Sequence, residues 1–232
     1  AMALLPAILD IEYQVYEPAR RTPPAEIKAA LADAEGSVVI AEKGGQLIGF
    51  AIGAPLEASH DVEGPDGDPM LGKKNTMYSV SVTVAPGYQG TGIGRRLKEM
   101  QLRDAAGRTA ADGSLRYAHV TGRNRVGRTA NMTHLNRVFG AHVVSVLTGQ
   151  YEDPEGQAIY YRIPLGAIAP SAARRDAVVA DKRARWGVAG AATLDAASGL
   201  VKVLATPPAS LRAAEQSGLL YGPAVNKLTL MN

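Results

Sequence analysis

The segment from Val82 to Arg96, VTVAPGYQGTGIGRR, constrains this chain more than any other. A β-branched run stops at Pro86-Gly87, and Gly90, Gly92 and Gly94 then open a helical pattern. Glycines at every second position let successive N–H groups turn to one side with no Cβ in the way. Where such a loop feeds a helix, the amides lie at the positive end of the helix dipole and the concavity favours an anion, a diphosphate above all. Two other phosphate loops do not fit. A P-loop ends in Gly-Lys-Ser or Gly-Lys-Thr, and the dinucleotide fingerprint needs a wider third spacing and an acidic residue about 20 positions on. The spacing alone leaves open a glycine-rich strand-to-helix turn that binds nothing.

The surrounding pattern places this loop inside an α/β domain. Apolar positions at helical intervals from Leu4 to Ala34, broken at Arg21-Thr22-Pro23-Pro24, predict two helices. Ser37 to Glu42 and Gln46 to Gly53 predict a β-hairpin around Lys43-Gly44-Gly45, where two glycines supply positive φ. Pro55 to Asn75 reads as a long loop, either a substrate lid or disordered. A strand over Thr76 to Val84 follows, then a helix over Gly94 to Ala111 with Leu97, Met100 and Gln101 inward and its Arg and Lys side chains outward. Next come a strand (Tyr117 to Thr121), a helix (Arg128 to Phe139) and strands over His142 to Thr148 and Ala158 to Pro164. A first strand near the N-terminus is not visible in the pattern. Such an order predicts a mixed sheet with helices on both faces.

After Leu165 the sequence turns alanine-rich and basic, with a junction at Ala167 to Ser171. Beyond it a helix (Ala172 to Trp186) and a β-α-β unit (Leu200 to Ala205, Pro208 to Leu220, Val225 to Met231) are predicted, so two regions are expected, 1–166 and 167–232. The role of the second is not legible.

Composition narrows the chemistry. The absence of cysteine removes disulfides, thiolate metal sites and a cysteine nucleophile, and fits a reducing cytosol. His60, His119, His134 and His142 form no metal-ligand spacing, so no metal is expected. A net charge of +3 with no polybasic tail suits a small anionic ligand and gives no sign of nucleic acid, and no apolar run reaches the length of a membrane span. Ala1 before Met2 reads as a processing scar and not as a secretory signal.

VAPGYQGTGIGRRL resembles the acetyl-CoA signature of the GNAT acetyltransferases, Q/R-x-x-G-x-G/A preceded by V-x-P at the end of a strand. The matching positions are Val84-Ala85-Pro86, then Gln89, Gly92 and Gly94. The resemblance covers roughly residues 37–165 and implies the GNAT fold: α/β (α+β), with a mixed, mostly antiparallel central sheet. It further implies that acetyl-CoA is the co-substrate. Backbone amides of Gln89, Gly90, Thr91, Gly92, Ile93 and Gly94 would then hold its pyrophosphate, and the strand edge at Val82 and Val84 would pair with its pantetheine. Arg95 and Arg96 either reach phosphates or line a solvated helical face. A backbone amide near Val82 would polarise the thioester carbonyl.

The resemblance also exposes a departure. Leu135-Asn136-Arg137-Val138-Phe139-Gly140-Ala141 is similar to the end of the family's next helix, but Asn136 stands where many relatives have a tyrosine that protonates the leaving thiolate. Either no such acid is used, or Tyr160 or Tyr161 serves. An alkyl ammonium, with a pKa of about 10, must lose a proton before it attacks. The strand before Pro86 carries no acidic residue. Tyr78, near the place of a glutamate in relatives, and His119 are candidates, each with a packing role as the rival reading. Glu57, His60, Asp61 and Glu63 are further candidates if the long loop folds over the site.

Arg123, Asn124 and Arg125, in a loop expected after the fifth strand, are candidates for holding a substrate carboxylate, since guanidinium pairs with it bidentately. The rival reading is a basic surface loop. NMTHLNRVFGAHVVSVLTGQY followed by AIYYRIPL resembles, more distantly, the C-terminal part of β-lysine acetyltransferases, which implies a small amino acid or other small amine as acceptor. A regulatory acetyl-CoA-binding domain without turnover and a protein acetyltransferase stay open, as does a homodimer.

Overall fold

The computed structural model describes residues 1–65, 67–127, 130–149, 156–166 and 168, together with the backbone of four short strands further on; the side chains of 60–63 are outside the description. Helices α1 (Leu5–Val15) and α2 (Pro24–Ala32) form as their periodicity predicts, with a proline in the first turn of each. The hairpin is β1 (Ser37–Lys43) and β2 (Gln46–Pro55), turned through Gly44 at φ 57° and Gly45 at φ 80°. Strand β3 (Thr76–Val84) has the expected bounds. After it come α4 (Ile93–Gly107), β4 (His119–Arg125), α5 (Ala130–Val138), β5 (His142–Thr148) and β6 (Gln157–Pro164).

Several expectations are corrected. The segment read as a loop from Pro55 begins with helix α3 (Leu56–Glu63), because Leu56 and its neighbours find a packing partner in Tyr78 and Tyr160 that composition does not reveal. Helix α4 ends at Gly107, four positions before Ala111, where Thr109 and Leu115 make a β-bridge around a tight turn. Strand β4 is shifted forward, so Arg123, Asn124 and Arg125 lie on the strand and not in a loop. Pairing with Tyr160, Ile159 and Ala158 of β6 imposes extended backbone on residues of weak β propensity.

The sheet order is β5-β6-β4-β3-β2-β1, antiparallel throughout except for the parallel pair β3/β4. Four strands follow: β7 (Ala192–Asp195), β8 (Leu200–Val203), β9 (Leu219–Leu220) and β10 (Asn226–Leu230). β10 aligns parallel to β1 from Val39 to Lys43 and adds to the sheet. β8 and β10 match two expected strands. β9 occupies the end of the expected helix from Pro208, and β7 was not expected. The rest of that helix and the one from Ala172 to Trp186 lie outside the described residues.

Helices α1 and α2 bury Ile8, Ile11, Ile27 and Leu31 against Val38, Ile40, Phe50 and Ile52 on one face. Helix α4 buries Ile93, Leu97 and Met100 against Val39, Ala41, Ile48 and Ala51 on the other. One irregularity in β3 positions everything that follows. Ser79 pairs with Gly53 and Ser81 with Ile52, so Val80 is an extra residue, a β-bulge. A one-residue insertion exchanges the two faces of a strand. Before it, Met77 and Ser79 meet α4; after it, Val82 and Val84 meet α4, while Ser81 and Thr83 meet α1.

Candidate active site

The glycine loop has the geometry its spacing demands. Gly90 stands at φ 75° and Gly92, the N-cap of α4, at φ 87°. A Cβ added at either would meet no atom within 4 Å, so backbone conformation and not crowding calls for glycine, and the space before the helix is free. The first bond of the helical ladder runs from the Arg96 N–H to the Gly92 carbonyl, so the amides of Ile93, Gly94 and Arg95 precede it and face the loop. Gln89 Nε2 donates to the Val84 carbonyl at 3.0 Å and Thr91 Oγ1 to the Tyr88 carbonyl at 2.6 Å, bracing the loop against the end of β3. Arg95 is exposed. Diphosphate chemistry fits this set of donors.

The loop leads into a fork. β3 and β4 pair only over Thr76/His119, Met77/Val120 and Tyr78/Thr121; beyond these the two strands share no bond. The edge of β3 from Ser79 to Val84 that faces β4 is therefore unpaired by it. At the apex, on the α4 side, lies a buried polar cluster. Lys98 is 0% exposed, and its Nζ donates to Ser79 Oγ at 2.9 Å, Gln101 Oε1 at 3.1 Å and Tyr161 Oη at 3.3 Å. Burial lowers its amine from the ordinary lysine value to about 7. Asn136 lies beside the same phenol, 1% exposed, with neither amide atom in hydrogen-bond contact, and Gln101 Nε2 is likewise without a partner. The expectation that the lysines of α4 point outward is corrected at Lys98.

The opposite face holds a buried carboxylate. Glu12 of α1, 0% exposed, accepts from Thr22 N–H at 3.0 Å, Ser81 Oγ at 3.3 Å and Thr83 Oγ1 at 3.4 Å. Ser81 and Thr83 hydroxyls are 2.9 Å apart, and Thr83 Oγ1 is 3.3 Å from the Tyr16 hydroxyl. On the same side Arg125 approaches Glu17, between α1 and α2, at 3.7 Å. The fork is thus flanked by α1, its outgoing connection and the end of β4.

The remaining expected residues are spread out. Tyr78 sits at the fork, 2% exposed, packed with Leu56 and Tyr160. His119 stands two residues earlier on β4, at its paired end; burial, then Arg162, lowers its pKa, and its Nδ1 is buried without a partner. Tyr160, pushed up to about 12 chiefly by burial, donates to Asp68 at 3.0 Å, whereas Tyr161 belongs to the Lys98 cluster. Asp68, on the loop after α3, also receives both short bonds of Arg162, each 2.7 Å, which ties that loop to β6. Burial raises the Asp68 carboxyl, but the Met70 amide and Arg162 outweigh it and hold it low. Glu57 accepts from Lys74 N–H at 2.8 Å, closing the same loop; the side chains of His60, Asp61 and Glu63 are outside the description. Among the described residues no group of three His, Cys, Asp or Glu can hold a metal, and no helix is long and apolar enough to cross a membrane.

Glu12 and Lys98 escaped the sequence reading, yet each carried a signal. Glu12 follows Ile8 and Ile11 on the apolar stripe of α1, and Lys98 lies between Leu97 and Gln101 on the inward stripe of α4. A charge within an apolar face is the informative exception.

The chain belongs to the GNAT acetyltransferase family: the family described as Acetyltransferase (GNAT) matches residues 5–126, more than half its length. Solved structures agree on the fold. The ribosomal-protein-S18-alanine N-acetyltransferase from Escherichia coli superposes with a TM-score of 0.51 at 18% identity, over 71% of this chain and 90% of that one. The loading GNATL domain of CurA from Lyngbya majuscula gives 0.55 at 11% identity, over 72% and 95%. The GphF GNAT-like decarboxylase, solved in complex with isobutyryl-CoA, gives 0.56 at 14%, over 71% and 96%. No curated protein matches the chain.

Proposed function

We propose that this acetyltransferase moves an acetyl group from acetyl-CoA to the primary amine of a small molecule, by direct attack within a ternary complex. The observation that carries the reading is the joining of a diphosphate cradle, Gly90 to Arg95, to a β3 edge that β4 leaves unpaired. Acetyl-CoA, when bound, supplies the thioester whose carbonyl carbon the amine attacks. The amides of Gln89 to Gly94 hold its diphosphate, Arg95 stands ready for a phosphate, and the Val82 and Val84 backbone pairs with the pantetheine. An amide near the Val80 bulge serves as oxyanion donor.

The acceptor enters on the α1 face. Glu12 takes up the proton of the incoming ammonium through the hydroxyls of Thr83 and Tyr16, supplying from a helix the carboxylate that β3 lacks. Buried Glu12 and exposed Glu17 favour a cationic acceptor, and Arg123 and Arg125, on the same side of β4, provide for a carboxylate on it. Asn124, buried, lies on the other side of that strand. Tyr78 stands at the mouth of the fork, whereas His119, in the pair farthest from the opening, has a packing role. Residues 1–166 carry the activity in the cytosol, and 167–232 extend the sheet through β10.

The test is thiol release with lysine, β-lysine, polyamines, aminoglycosides and peptides as acceptors, alongside the melting temperature with acetyl-CoA. A ligand that binds only the folded state raises it by mass action. Gly92→Glu places bulk and negative charge in the cradle and is expected to abolish that shift. A normal shift in Gly92→Glu refutes the cofactor site. A shift in the wild-type protein without turnover of any amine favours the regulatory reading, and turnover of peptides alone favours the protein acetyltransferase.

A further inference from the structure

An ammonium ion buried with only neutral partners is costly, and such groups persist mainly where they are used. Every partner of Lys98 is neutral: Ser79 on β3, Gln101 on its own helix, Tyr161 on β6. Among the described residues, Tyr161, with Asn136 beside it, is the other titratable group in the cluster. The cluster also occupies a particular place. A Cβ at Gly122, the first residue of β4 past the last pair with β3, would lie 2.7 Å from Tyr161 Oη and 3.4 Å from the Ser79 carbonyl. The phenol thus lies across the fork, next to the asparagine that stands in the family tyrosine's position.

Resting on the acetyltransferase reading above, we infer that Tyr161 and Lys98 together replace that tyrosine: Tyr161 is the proton donor to the departing sulfur, and Lys98 is the positioning residue that recharges it. As the C–S bond breaks and its electron pair stays on sulfur, the Tyr161 hydroxyl gives its proton to sulfur and Lys98 Nζ gives one to the phenol oxygen. Lys98, left neutral, recovers a proton from solvent, which receives the one released by the acceptor nitrogen. The direction follows from acidity. Burial raises the Tyr161 phenol above its ordinary value, so alone it is a weaker acid than a thiol, which ionises at about 8.5. An ammonium near 7 lies below the thiol, and transfer from Lys98 through the phenol to sulfur runs downhill.

The experiment uses the full-length protein with ¹⁵N-labelled lysine. The Lys98 amine, assigned by its loss in Lys98→Met, is expected to titrate near pH 7 without ligand, and Tyr161→Phe is expected to move that titration. In turnover, the wild-type kcat has an alkaline limb that Lys98→Met removes and Lys98→Arg carries upward, with kcat in Lys98→Met and Tyr161→Phe down on the order of 100-fold. Retention of the acetyl-CoA melting shift in these variants separates this idea from the cofactor reading, which the wild-type and Gly92→Glu shifts test on their own. A Lys98 amine titrating near 10, or an alkaline limb unchanged in folded Lys98→Met and Tyr161→Phe, overturns the inference.

Discussion

A methyl group at Gly122 would sit 2.7 Å from Tyr161 Oη and 3.0 Å from its Cζ, closer than side-chain atoms tolerate. Gly122→Ala must therefore displace the phenol from the position in which it meets Lys98. Overpacking of this kind costs about 1–3 kcal/mol, which a folded domain survives, but a displacement of the order of an ångström at a reacting group lowers turnover about 100-fold. The expected result is a folded variant with normal acetyl-CoA binding and depressed kcat. Equal losses of coenzyme affinity and kcat would mean that Gly122 matters only for the shape of the fork. Gly92 differs, since there the left-handed backbone, and not a neighbour, excludes a side chain.

The connection after α3 is tied to β6 through Asp68, which bonds Arg162 and Tyr160. Both ion-pair side chains are buried, at 0% and 7% exposure, so Asp68→Asn strands a guanidinium whose Nε is already without a partner. Breaking such a pair costs about 3–5 kcal/mol, to be read from the urea midpoint, with earlier proteolytic cleavage between Gly64 and Asn75. Because the folded carboxyl is held below its ordinary value, its contribution is present at neutral pH and disappears as acid protonates it, below about pH 4. An Asp68→Asn midpoint equal to the wild type at pH 7 would show the tie to be idle.

This element also marks where sequence stops being informative. The hairpin could be read because Gly44-Gly45 dictates its turn, β3 because its β-branched run fits a strand, and the glycine loop because backbone sterics alone require it. Helix α3 could not, since its stability comes from Tyr78 and Tyr160, the latter about 100 residues away in the chain. The bounds of β4 were misplaced because Gly122-Arg123-Asn124-Arg125 becomes a strand only through β6. At the site, the cofactor loop was legible as a local motif. Glu12 and Lys98 were not, because a bulge at Val80, invisible in one sequence, decides which hydroxyls of β3 each one meets.

For the molecule as a whole, Lys98 couples stability to pH. Its amine is lowered in the folded state to about 7 from 10.5, so between those values the unfolded chain binds more protons and stability must rise with pH. Below about 7 both states are charged and the full cost of burial applies. The difference in unfolding free energy between the wild-type protein and Lys98→Met should thus shift in favour of the wild type from pH 7 to about pH 10. A difference independent of pH would show that Lys98 keeps an ordinary amine.

The short pairing of β3 with β4 has one more consequence. Sheets normally keep their raw edges at the periphery, where charges and bulges guard them; this one carries an edge in its own middle, opened at Tyr78 and Thr121. On the function proposed above, the pantetheine arm lies along this edge in the place a strand would take. An edge of this kind accepts an extended chain as readily as a strand does, so the proposed function predicts that acetyl-CoA lowers the tendency of the protein to pair with extended peptides, its own copies included, as read by light scattering with and without the coenzyme.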